Sequence, residues 1–217
     1  MSDGRIPPLP AEEWDADVLD ALSVLRPPRK PRPPAENGAP AEPAPPDSAP
    51  PRESTPARRG AGTSNLIGVL SHHPALMKSW FVFNNHLFRS TLTDRVREMI
   101  TVRTAWLRRS EYEWAQHVRM ARTAGMSDDE IAALDVGPDA PLWGSVDALV
   151  LRAVDQLCEN RRIGDDVWAA LCEHFDRRQM MDIVFTVAAY DALGMALENF
   201  DVELDAGAEG FPAERIP

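Results

Sequence analysis

Three side chains in this sequence have the types and spacing of a proton-transfer set. Glu113 and His117 are four apart in the stretch SEYEWAQH (110–117), so a helix places both on one face. That face runs on through Met120, Ala121 and Ala124, the small and apolar pattern of a surface packed against another helix. A carboxyl group and an imidazole pressed into such a surface tune each other. Desolvation raises the carboxyl pKa, and a nearby carboxylate raises that of the histidine. Acid–base chemistry near neutral pH requires this kind of tuning. Glu98, at the edge of an apolar face on the preceding helix, is the third candidate.

The same residues have a structural reading. Ser110-x-x-Glu113 has the form of a capping box, and His117 would then be a hydrogen-bonded core histidine. A carboxylate near a helix start is stabilised by the helix dipole in either case. Glu98, Glu113 and His117 also resemble the carboxylate–imidazole donor set of a non-haem metal site. No second histidine stands at ligand spacing: His72 and His73 precede Pro74 as loop residues, and His86 is isolated in a helix. The expectation is therefore no metal.

The elements that must position these groups all read as helices. An N-terminal arm, 1–26, combines the extended RIPPLP with a short helix bearing Trp14, Val18, Leu22 and Leu25 at helical spacing. So short a helix is marginal alone and is expected to pack on the main domain. Residues 27–63 hold most of the chain's twenty prolines and no apolar periodicity, the composition of a disordered or polyproline-like linker. From 64 to 205 the pattern is helical throughout, and 206–217 is a tail.

Within that domain, Pro74 opens a helix with Leu76, Trp80, Phe83 and Leu87 inward. A second starts near Thr93 and turns Val96, Met99, Ile100, Arg103 and Leu107 inward. The third is the SEYEWAQH helix, closed by Gly125. Ser127-x-x-Glu130 is a capping box for a fourth. Further helices start at Ser145, at Asp165 as a cap, and near Arg177. The last of these is apolar nearly all round to Phe200, as befits a helix central to a bundle or to a subunit interface.

Composition sets the outer bounds. The 217 residues, 44% hydrophobic and 26% charged, suffice for one globular all-α domain with a core. A net charge of −11 argues against a nucleic-acid partner. Cys158 and Cys172 form no CxxC pair and read as reduced, buried thiols in a cytoplasmic protein. The N-terminus shows no signal-peptide pattern, and no stretch approaches the roughly 18 apolar residues of a membrane span.

The stretch RVREMITVRTAWLRRSEYEWAQHVRMARTAGMSDDEI resembles the carboxymuconolactone decarboxylase family, related to the alkylhydroperoxidase-D-like proteins. HHPALMKSW, RRQMMDIVFTVAAYDALGMALENFDVELD and the RIPPLPAEEW arm resemble it too. The resemblance implies an all-α alkylhydroperoxidase-D-like bundle that assembles into trimers or hexamers, without a bound cofactor. In the peroxidase branch a glutamate precedes a CxxC and a histidine. On this chain the glutamate falls at Glu98, the thiol positions at Ser110 and Glu113, and the histidine at His117. Serine and glutamate cannot cycle through a disulfide, so thiol peroxidase activity is not expected.

What the resemblance leaves is the proton-transfer half. The expectation is a cofactor-independent lyase acting on a small carboxylated lactone or keto acid. His117 would donate and accept the proton, Glu113 would orient it or act as base, and Glu98 would relay. Arg103 would grip a substrate carboxylate with its guanidinium fork. Tyr112 and Tyr190 would line the pocket, and Asp191 has no evident partner. A dehydratase or isomerase could use the same pocket. A non-catalytic oligomer with its proline-rich segment as interaction element is the rival from outside enzymes.

Overall fold

A computed structural model describes residues 4–25 and 64–213. The linker expected at 27–63 lies outside the described residues. Among those described, every regular element is helical. A 3-10 turn (Ala11–Glu13) precedes α1 (Ala16–Ser23). Then come α2 (Asn65–Leu70), α3 (Pro74–Phe88), α4 (Asp94–Arg108), α5 (Glu111–Thr123), α6 (Asp128–Val136), α7 (Ser145–Asn160), α8 (Asp165–Cys172) and α9 (Arg177–Phe200).

The architecture is organised around α4, which packs against α5, α6, α7 and α9. Its residues from Arg97 to Ala105 are all buried, polar and apolar alike. A helix surrounded on every side must satisfy its polar groups internally. Thr101 and Thr104 therefore donate back to the carbonyls of Arg97 and Ile100. Arg95 reaches Glu130 on α6 at 2.7 Å and Asp147 on α7 at 2.9 Å. The main core gathers Met99, Ile100 and Val102 of α4 with Val118, Leu134, Leu151, Val154, Leu171 and Ile183. Burying side chains of this size stabilises the fold by about 1.5–3 kcal/mol each.

Local signals place most boundaries. Pro74 is the first residue of α3, and the His73 ring accepts from the Leu76 amide. Ser127 and Glu130 close the expected capping box on α6. Asp176 and Gln179 close a second on α9, which the sequence reading missed. Asp165 does not cap α8; Gly164 holds that position and Asp165 sits in the first turn, and Cys172 at its end is exposed rather than buried as expected, because the buried face of this helix is carried by Val167 and Leu171. Between α4 and α5 the chain reverses through Arg109 at φ 57°, a left-handed residue without the usual glycine.

Two helix faces differ from expectation. On α3 the buried residues are Met77, Phe81 and Leu87, while Leu76 is 49% exposed. The rotation follows from α1, whose Val18 and Ala21 pack onto Met77 and Phe81 together with Leu70. On α1 itself Ala21 replaces Leu25 at the buried end. Length and composition also make α9 apolar enough to cross a membrane, contrary to the sequence reading, although 56% of its most apolar window is buried inside the protein.

After α9 the chain folds back over the start of α5. Asp205 accepts from the Asn65 amide at 2.7 Å, Tyr112 at 3.0 Å and Gln116 at 2.9 Å. Phe211 lies edge-on to Trp106 at 5.3 Å and tilted against Trp114 at 5.6 Å.

Candidate active site

Glu98 on α4 and His117 on α5 meet in the interior. His117 Nδ1 lies 2.7 Å from Glu98 Oε2, with both side chains buried. The two helices form a tight hairpin, which brings the middle of one against the middle of the other. The second Glu98 oxygen, Oε1, accepts from Arg97 Nε at 3.1 Å and Nη2 at 3.0 Å. A buried carboxylate needs such partners to stay charged. Arg97 also donates to Asp94 at 2.8 Å and lies 5.1 Å from the centre of the Phe88 ring. Burial alone would lower the pKa of this guanidinium, but Glu98 and Asp94 outweigh it and hold the group firmly charged. The sequence reading did not single out Arg97, although it directly precedes Glu98.

Tyr190 of α9 completes this centre. Its ring stands edge-on to His117, 4.7 Å between centroids and 79° between planes. The Tyr190 hydroxyl is buried without a hydrogen-bond partner among the described residues. Desolvation, with Glu98 and Glu113 adding negative field, pushes its pKa well above the ordinary phenol value. It is a fixed neutral dipole at this site. Tyr190, expected from the sequence to line a pocket, is packed against His117.

Glu113 is not a cap. Ser110 makes no side-chain cap to α5, and both Glu113 oxygens are buried without hydrogen-bond partners among the described residues. The capping-box reading of this pair therefore fails. The carboxyl group points at α9, where Gly194 leaves the room it occupies. A Cβ at Gly194 would stand 2.8 Å from Glu113 Oε2 and 3.3 Å from the Ser110 Cβ. Burial, with smaller contributions from Asp191 and Glu198, raises the Glu113 pKa to about 8. Glu113 is therefore mostly a neutral acid at pH 7, not the base expected from the sequence.

Two other expected residues lie elsewhere. Arg103 clamps Asp155 of α7 with two bonds, at 2.7 and 2.9 Å. It also donates to the carbonyls of Leu134 and Asp135 at 2.8 Å each. Its fork is thus occupied in tying α4 to α7 and to the end of α6, rather than in gripping a substrate. Tyr112 is engaged outside this pair: its hydroxyl pairs with Ser64 at 2.7 Å and donates to Asp205. Burial pushes its pKa up to about 12. It does line a surface hollow of about 460 Å³, with Glu111, Glu198 and Glu203, but His117 and Glu98 are absent from that lining. Asp191, left without a partner by the sequence, pairs with Arg108 at 2.5 Å.

Among the described residues no three His, Cys, Asp or Glu side chains are grouped as metal ligands. Glu98 faces Arg97 and His117, and Glu113 faces Gly194. All three expected residues are buried. Glu98 and His117 are directly bonded, while Glu113 is hydrogen-bonded to neither, and both glutamates add negative field at Tyr190.

The fold is an all-α bundle, with a buried glutamate–histidine pair on a helical hairpin, and it is similar to that of solved alkylhydroperoxidase-D-like proteins. The carboxymuconolactone decarboxylase family model matches residues 74–154, which contain Glu98, Glu113 and His117, and the resemblance read from the sequence is thereby shown. Solved structures share the fold. A protein of unknown function from Agrobacterium tumefaciens, described as a putative antioxidant defence protein AhpD, aligns at 19% identity with a TM-score of 0.60, covering 63% of this chain and 95% of its own. An uncharacterised peroxidase-related protein from Ralstonia eutropha aligns at 19% identity and TM-score 0.60, covering 65% and 76%. A peroxidase-related protein from Silicibacter aligns at 17% and 0.60, covering 66% and 78%. No curated protein matches the chain.

Proposed function

We propose that this chain is a cofactor-independent proton-transfer enzyme, a decarboxylase-like lyase acting on a small carboxylated lactone or keto acid. The observation that carries the reading is the 2.7 Å bond between His117 Nδ1 and Glu98 Oε2 in the interior. Glu98 accepting at Nδ1 fixes the imidazole and leaves Nε2, without a hydrogen-bond partner among the described residues, for proton exchange. Glu113 supplies a neutral acid one helical turn away.

The step balances as follows. The bond between the substrate carbon and its carboxylate breaks, CO2 leaves, and the electron pair passes into the adjacent carbonyl as an enolate. The enolate carbon then takes a proton from protonated His117 or from Glu113, and water restores that proton to the enzyme. Arg97, neutralising Glu98, keeps the pair's charge stable as His117 changes state. Dehydration or double-bond migration would draw on the same shuttle.

Thiol-based peroxide reduction has less support. Ser110 and Glu113 stand at the positions the resemblance gives to thiols, and Cys158 is buried with its thiol pushed up to about 11. The second reading is a non-catalytic oligomer. It is favoured by one observation: the hollow beside Tyr112 is not lined by His117.

A panel of β-keto acids and carboxylated lactones, assayed for CO2 release and for deuterium uptake from D2O, tests the proposal. The wild-type protein should turn over at least one of them, and His117→Ala should lower kcat about 10²-fold or more with the helical spectrum retained. A wild-type protein inert to the whole panel, or a His117→Ala variant of equal rate, would favour the scaffold.

A further inference from the structure

Between α3 and the start of α9 lies a hollow of about 440 Å³, within the usual size range of small-molecule sites. Glu98, Glu113 and His117 take no part in its lining. Asp182, which does, stands eight residues before Tyr190 on α9, about 12 Å along the axis. Phe83, Met181 and Phe185 form apolar walls, with the two phenyl rings edge-on at 6.4 Å between centres. Met181 is 61% exposed and Phe185 49%, so this lining is apolar surface that the fold leaves to solvent.

The polar groups of the hollow decide what suits it. Asp182 is buried and already engaged at both oxygens. His86 Nε2 lies 3.1 Å from Oδ1, and the Thr91 amide and hydroxyl donate to Oδ2 at 2.8 and 2.7 Å. These bonds commit the carboxylate to tying α3 and the loop after it to α9, which leaves it a poor anchor for an incoming cation. Arg178 is the opposite case. It is exposed, it lines the same hollow, and its guanidinium has no hydrogen bond or ion pair among the described residues. The first amides of α9 do not compete for an anion, since the Asp176 carboxylate accepts from those of Arg178 and Gln179. A free planar donor fork beside two phenyl rings and a thioether suits a carboxylate carried on an aromatic body. An inorganic anion would leave the walls wet, and an uncharged hydrocarbon would leave the fork unused.

We infer that this hollow binds a small aromatic carboxylate, with Arg178 on the carboxylate and the ring seated among Phe83, Met181 and Phe185. The site is independent of the reaction performed at Glu98 and His117.

The probe is 4-phenylbutyrate, titrated into the full chain and followed by ligand-observed NMR. Butyrate and 4-phenylbutylamine are the controls for ring and charge. The acid should saturate with a dissociation constant of about 1 mM or tighter, and both controls should bind roughly tenfold more weakly. Arg178→Glu should lower affinity for the acid about tenfold and reverse the preference toward the amine. Phe185→Ala should weaken the acid without changing the helical spectrum, because this side chain is half exposed. Arg119→Glu, exposed on α5, should leave binding as it is. So should His117→Ala, which alters only the buried pair. Binding that does not saturate, equal binding of acid and amine, or an Arg178→Glu variant of unaltered preference overturns the assignment. An equal loss in Arg119→Glu, which would mark a general charge effect, also overturns it. Loss in His117→Ala would move the acid to the buried pair and does the same. The comparison of the three probes on the wild type remains decisive if a variant fails to fold.

Discussion

At Glu113 a single carboxyl group sets a pH dependence for the whole fold. Its pKa in the folded protein is about 8, against 4.5 for the free group, and burial is the main cause. The folded state therefore holds this proton more tightly than the unfolded chain does. Its contribution to stability is complete below about pH 4.5 and is lost progressively as pH rises through 8. Glu113→Gln keeps the shape and removes the titration. Chemical denaturation between pH 5 and pH 9 should show the variant gaining on the wild type as pH rises, on the order of 2 kcal/mol or more by the alkaline end. Parallel curves would mean that water reaches the carboxyl group. This behaviour was only half legible in the sequence. The four-residue spacing to His117 announced a shared face, but the capping-box spelling of Ser110-x-x-Glu113 pointed to a solvated helix start. Local spelling could not reveal that α9 lies across that start.

At the scale of elements, the crossing of α5 and α9 depends on one missing methyl group. Gly194→Ala places a Cβ 2.8 Å from Glu113 Oε2 and 3.3 Å from the Ser110 Cβ, and both of these residues are buried. Thermal unfolding should show a loss of about 1–3 kcal/mol. Removing the obstacle with Glu113→Ala should recover part of that loss, and a fully additive pair would rule out the clash. Helix periodicity exposed the existence and order of these helices because core burial repeats along each one. It could not fix rotation about the axis where two partners compete for one helix. Leu76 illustrates this: α1 claims the Met77 and Phe81 side of α3, a contact whose partner lies more than fifty residues earlier. Arg103 makes the same point for polar groups. An arginine on an inner face signals a buried ion pair, but its partner, Asp155, belongs to a helix the local sequence does not name.

Across the whole molecule, the N-terminal arm and the segment after α9 close onto the same region around α2 and α5. Ile6 donates to the Phe200 carbonyl, Leu9 to that of Gly68, and Asp205 gathers Asn65, Tyr112 and Gln116. Asp205→Ala removes three acceptor contacts at once and leaves a half-buried tyrosine hydroxyl and a backbone amide to find others. It should cost about 1–3 kcal/mol by denaturant titration. Amide exchange should accelerate around Asn65 and Leu66 well before the α4 core opens. Unchanged protection there would show that the segment after α9 does not anchor α2. The sequence led to the expectation that the arm packs on the main domain, but no periodicity around Ile6, Phe200 or Asp205 named these partners.

Phe211 is held between two of the chain's six indoles, Trp106 and Trp114. The protein thus carries an optical gauge of its own: when its last residues lift away, those two chromophores change surroundings and their emission shifts, with no dye attached.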